Sequence, residues 1–183
     1  MIDNNIRIQQ LLEKCEAMTI LTNKANEYYD LIKTIFQIPL ILTSSVMCIL
    51  NSFDNNKGNM KIPNVVVNGV SVLLLAYQNQ LKVPEKVEIF KSLSNNFLQL
   101  AHQIEGLEAE QIDRNMVNNL TDKYDTFVMS CNFGDIPTRY KLEVRRIMKG
   151  KTLPLQLNGG SGLVDRSSKD ITIANIGSFT ENV

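Results

Sequence analysis

Two stretches of 20 residues lack any Asp, Glu, Lys or Arg, and they stand side by side: TIFQIPLILTSSVMCILNSF, Thr34 to Phe53, and IPNVVVNGVSVLLLAYQNQL, Ile62 to Leu81. Only the polar segment DNNKGNMK separates them. Twenty residues of helix rise about 30 Å, the thickness of a bilayer's hydrocarbon core. A helix also satisfies its own backbone donors and acceptors, as a segment surrounded by lipid must. The pair therefore predicts a transmembrane helical hairpin with spans at about 34–53 and 62–81. Pro39 and Asn68 weaken the spans and keep open a second reading, the buried core helices of a soluble interaction bundle. Matched length, missing charge and the tight turn favour the membrane.

The rest of the chain limits what such a hairpin can belong to. Lys plus Arg equal Asp plus Glu at 19 each, which argues against nucleic-acid binding by global charge. Mean hydropathy is −0.09, too low for a transporter of many spans. Cys15, Cys48 and Cys131 are far apart and show no zinc spacing. Residues 1–20 carry charges throughout and contain no apolar core of signal-peptide length, so insertion is expected to rely on the first apolar run itself.

Amphipathic arms flank the hairpin. Ile8, Leu11, Cys15, Met18, Thr22, Ala25, Tyr29 and Ile32 fall at alternating steps of three and four, the seam of a helix over 5–33. No Gly or Pro interrupts before Pro39, so this helix is expected to run into the first span. After Leu81, Pro84 marks either a mild kink or the first turn of a new helix. Val87, Phe90, Phe97, Ala101, Ile104 and Leu107 or Glu108 continue a helical pattern. Met116, Leu120, Tyr124, Phe127 and Cys131 follow beyond a break near Gly106. One long return helix or two is expected over 84–132, antiparallel to the first arm. FGDIP at 133–137 reads as a stop, with Gly134 capping one helix and Pro137 opening the next. Residues 138–149 form a short basic helix with Tyr140, Val144, Ile147 and Met148 on one face, ended by Gly150. The fold class is thus all-α: a helical membrane module over 1–150, then a flexible tail over 151–183. In that tail DITIANI, 170–176, has strand character but no partner strand.

Lys57 and Lys61 lie in the turn, against Lys24, Lys33, Lys82, Lys86 and Lys91 on the outer flanks. The positive-inside rule then places both termini in the cytoplasm. Within the spans the polar residues fall on one stripe per helix. Gln37 and Ser44 mark the first, and Asn64, Asn68 and Ser71 the second, which Gln78 extends. Polar groups facing lipid are costly, so the stripes should face protein or water. They serve either to line a pore, which two helices can build only by oligomerising, or to bond helices together. No charged ring of an ion-selective kind is present.

Arg139, Lys141, Arg145, Arg146 and Lys149 make the strongest local charge bias. Three roles are open: contact with anionic headgroups or a partner, contact with nucleic acid, or a solvated face pairing with Glu105, Glu108, Glu110 and Asp113. Sparse aromatic interleaving makes nucleic acid the poorest of the three. His102, the single histidine, has no nucleophile at catalytic spacing, and GGSG lacks the strand–helix context of a phosphate loop. No catalytic, metal or cofactor site is expected.

An amphipathic arm at 5–33, two short spans at 34–81, a return arm at 84–132 and Asp135-Ile136-Pro137 before a basic helix together resemble the SLATT family. The resemblance covers roughly residues 5–150 and rests on architecture and apolar spacing. It implies a two-span module of the kind found in bacterial conflict systems, with relatives in protists and large DNA viruses. It also implies an oligomeric, pore-forming membrane effector. The chain departs from that pattern in having no fused sensor domain. A structural membrane protein of a large virus particle, its tail binding a coat protein, is the alternative. The 20 Asn residues are compatible with such a source.

Overall fold

The computed structural model describes residues 2–53, 61–107 and 113–157, and among them every regular element is helical. Helix α1, Ile2–Phe53, is 52 residues without a break, roughly 78 Å. The first arm and the first uncharged run are thus one rod, as the lack of Gly and Pro before Pro39 demands. Pro39 lies inside it, and the Thr43 hydroxyl donates to the Pro39 carbonyl at 2.8 Å. Helix α2 is Lys61–Gln80, with Pro63 in its first turn, where a missing N–H costs nothing. Two residues later α3, Val83–Glu105, begins. Lys82 makes the joint with φ at 52°, a left-handed conformation that costs a side-chain-bearing residue about 1–2 kcal/mol. Pro84 falls in the first turn of α3.

The packed body is built from the first half of α1, α3 and α4, Arg114–Ser130. Helix α3 runs antiparallel to α1. The Tyr29 ring stacks on Phe90 with centroids 5.7 Å apart, and farther along Ser94 reaches the Thr19 carbonyl at 3.5 Å. Helix α4 opens at Asp113, whose carboxylate accepts from the Arg114 N–H, and folds back so that Tyr124 and Phe127 both meet the Phe97 ring at 5.8 Å. The return arm is therefore two helices, parted after Gly106.

The seam read from the first arm is the core: Ile8, Leu11, Cys15, Met18, Thr22, Ala25 and Tyr29 are buried and Ile32 partly so. Thr22 is tolerated there because its hydroxyl donates to the Met18 carbonyl at 2.8 Å. Phe90, Phe97, Ala101 and Ile104 are buried opposite, with Val87 and Leu107 at the margin. On α4, Leu120 and Tyr124 are buried, as is Cys131 at its end, and Phe127 packs against them, but Met116 is exposed and Val117 takes its place. Both lie within one turn of Leu120, and periodicity alone does not choose between them.

Beyond α4 the expected stop is present but built differently. Gly134 does not cap α4, which ends at Ser130. It sits in a 3-10 turn, Phe133–Asp135, with its N–H on the Asn132 side chain at 3.2 Å. Pro137 then precedes α5, Thr138–Ile147. Val144 and Met148 of this stretch are buried and Tyr140 partly buried, whereas Ile147 is exposed, because α1 covers only a narrow strip of α5. Gly150, at φ +90°, ends this stretch, and the chain continues along α1. The packed body continues past the expected start of the tail: Pro154 and Leu157 are buried, and the Thr152 N–H donates to the Glu13 carboxylate at 2.7 Å. Residues 54–60, Glu108, Glu110 and the segment 158–183 with its strand-like stretch lie outside the described residues.

Candidate membrane-facing site

Two ring contacts set the register of α1 against the α2–α3 strand. Phe36 meets Tyr77 with centroids 5.8 Å apart, and Tyr29 meets Phe90. Interpolating between them brings Lys33 level with Lys82 and Val83. The last charge before the first uncharged run and the first charge after the second therefore stand at one height. A single plane across the molecule separates charged from charge-free helix.

Burial inverts at that plane. On the charged side the apolar residues are inside, as in any soluble bundle. On the other side they are outside: Ile38, Ile41 and Leu42 of α1, and Val65, Val72 and Leu73 of α2, are exposed. An 18-residue stretch of α1 has mean hydropathy 1.6 with none of it buried. Among the described residues this one helix is long and apolar enough to cross a membrane.

The two halves of the apolar hairpin touch along a thin seam. Phe36, Leu40 and Met47 of α1 are partly buried, as are Asn64, Val67, Ser71 and Leu74 of α2, and Gln78 at the neck is only 5% exposed. Asn64 and Ser71 thus belong to the helix–helix contact. Gln37, Ser44 and Asn68 are exposed beside it. At 100° per residue, Gln37 and Ser44 lie about 60–80° round α1 from the seam, and Asn68 about 80° round α2. The helices are antiparallel, so equal rotations bring all three to the same side of the hairpin. The register places Ser44 level with Asn68. The serines need no outside partner, since Ser44 donates to the Leu40 carbonyl and Ser71 to the Val67 carbonyl, each at 2.8 Å. The amides of Gln37 and Asn68 are the demanding groups on that side.

Just on the charged side of the plane, a collar ties α5 to the neck. Tyr29 donates to the Asp135 carbonyl at 2.7 Å, and Lys86 bonds the Asp135 carboxylate at 2.8 Å while standing 5.2 Å from the Tyr29 ring centroid. The bond to Asp135 holds the Lys86 amine above its ordinary pKa, and burial does the same for the Tyr29 hydroxyl. From there α5 runs along α1 away from the plane: Tyr140 meets Tyr28, Glu143 pairs with Lys24 at 2.8 Å, and Lys151 pairs with Glu16 at 2.7 Å.

The five basic residues of this region are consequently spread in height. Arg139 is at the collar. Lys141 donates to the Phe133 carbonyl at 2.6 Å. Arg145, Arg146 and Lys149 are exposed farther out. Lys151, just beyond the helix, takes its acidic partner, Glu16, from α1, whereas in the return arm Glu105 lies 3.3 Å from His102 and Asp113 caps α4. The sequence marked Lys86 only as a flanking charge and Asp135 only as part of the stop before the basic helix, and did not flag Tyr28; they become a unit only when residues 106 apart in the chain, such as Tyr29 and Asp135, are brought together. No protein-family model matches this chain, and no curated protein or solved structure matches it.

Proposed function

We propose that the chain is a two-span membrane protein of the SLATT type that oligomerises and forms a pore. Its soluble body and both arms stand on the cytoplasmic face. The observation that carries the reading is the inversion of burial at one plane. Soluble monomers rarely leave two adjacent helices apolar on the outside and charge-free above a common level, and a patch of that kind marks a membrane or protein contact. The exposed amides of Gln37 and Asn68 support assembly. In hydrocarbon such groups need partners, and the hairpin offers them on one side only. Neighbouring copies, or water enclosed between copies, would supply those partners.

Extraction tests the membrane, and sizing tests the assembly. The protein is expected to resist carbonate and salt, to require detergent, and to elute as a ring-sized oligomer. A monomer in mild detergent sinks the pore. In reconstituted bilayers Asn68→Leu is expected to change conductance, and unchanged conductance removes Asn68 from the lining.

A further inference from the structure

We propose that the collar binds the phosphate of an anionic phospholipid headgroup at Arg139, whose guanidinium stands against the rings of Tyr28 and Tyr140. This rests on the membrane reading above. Tyr28 lies five residues before Lys33, about 8 Å from the plane where charge ends. The headgroup zone on each face of a bilayer is about 5–8 Å deep. The Arg139 guanidinium is therefore near headgroup depth.

It is also held ready there. Its carbon stands 5.3 Å from the Tyr28 ring centroid and 4.5 Å from that of Tyr140, and Nη2 donates to the Tyr140 hydroxyl at 2.7 Å. Among the described residues no carboxylate pairs with it: Asp135 is taken by Lys86, and Glu143 by Lys24. A guanidinium has five N–H donors in a planar fork, a shape suited to two phosphate oxygens. Tyrosines beside it suit the membrane–water interface, where an apolar ring meets a wet hydroxyl. The other cations of the helix are excluded by height or by their bonds. Arg145, Arg146 and Lys149 lie about 9–15 Å farther from the plane along α5, and the Lys141 amine is bonded to the Phe133 carbonyl.

The test is thermal unfolding of the full chain in a neutral maltoside detergent, with phosphatidylglycerol, phosphatidylcholine or inorganic phosphate added. Native mass spectrometry counts the retained lipids. Phosphatidylglycerol is expected to raise Tm, and the other two are not. Arg139→Gln is expected to weaken the apparent phosphatidylglycerol affinity about tenfold to a hundredfold, as loss of a charged hydrogen-bonded contact does. Arg139→Lys, which keeps the charge without the fork, is expected to fall between and covers the case in which the glutamine variant does not fold. A triple variant, R145Q/R146Q/K149Q, is expected to keep the full Tm rise. The proposal is overturned if Arg139→Gln responds like the parent, if the triple variant loses the response, or if inorganic phosphate gives an equal rise. Extraction without detergent would instead overturn the membrane reading, and the lipid site with it.

Discussion

Phe97→Ala should open the packed body, and the chain carries its own reporters for that event. Phe97 is 0% exposed and meets two rings of α4, at the point where α1, α3 and α4 converge. Truncating a fully buried Phe costs about 3–5 kcal/mol, from lost transfer energy and the cavity left behind. Since each 1.4 kcal/mol is a factor of ten, the open population rises between roughly a hundredfold and a few thousandfold. Cys15 and Cys131 report it. Burial pushes the Cys15 thiol up to about 12 and the Cys131 thiol up to about 11, so in the closed body both are protonated and shielded. Their labelling by a thiol reagent at neutral pH then requires opening. In a Cys48→Ser background, which removes the exposed third thiol, the labelling rate should rise by about two orders of magnitude or more for Phe97→Ala. Leu98, the next residue, is 44% exposed, and Leu98→Ala should change the rate less than about tenfold. Equal effects of the two substitutions, or no change for Phe97→Ala, would refute the assignment of the α3 face and the packing derived from it.

Leu73, mid-way along α2 and 70% exposed, tests the lipid-facing surface: Leu73→Arg should cost about 2.5–3.5 kcal/mol of insertion and lower the carbonate-resistant fraction, whereas unchanged integration counts against exposure to lipid. Ending the chain after Gly150 rather than after Leu157 removes the buried Pro154 and Leu157 and should cost about 2–3 kcal/mol in the same labelling assay, and parity between the two truncations would show that the segment is idle. The pH dependence has two limbs. The Thr152 N–H lowers the pKa of Glu13, so that bond's contribution is present above pH 4.5 and lost as pH falls through the lowered value. Glu143, Asp135 and Glu16 raise the pKa of Lys24, Lys86 and Lys151, whose contributions are present below pH 10.5 and lost as pH climbs through the raised values. Acid should therefore loosen the 151–157 segment first, and Glu13→Gln should blunt that limb. A gain in stability on acidification below pH 4.5 would contradict the assignment.

The helices and the first-arm core were legible because both depend on periodicity. A seam of three-and-four steps survives any arrangement of neighbours, so Ile8 through Tyr29 could be named without knowing what covers them. Ala17 and Leu21 were not legible. They are buried because α5 and the segment after it lie along a second face of α1, a fact of tertiary packing. The same cause separates Val117 from Met116 and leaves Ile147 exposed. In the apolar hairpin, the sequence pattern grouped Asn64, Asn68 and Ser71 on one stripe. Exposure divides them into seam and flank, because a stripe only tens of degrees wide straddles the edge of a helix–helix contact. The collar was invisible for a further reason: its members are common residue types drawn from three distant stretches, 28–29, 86 and 135–140, and no local pattern links them.

The joint at Lys82 has a mechanical consequence. One limb of the hairpin, α1, passes from the body into the apolar zone as a single helix, and Pro39 lies beyond the plane. The other limb is jointed at Leu81–Lys82, where one residue holds a costly backbone angle. A movement of the body relative to the apolar end would bend at that joint, the interruption between α2 and α3, and would shear the seam of Asn64, Ser71 and Gln78.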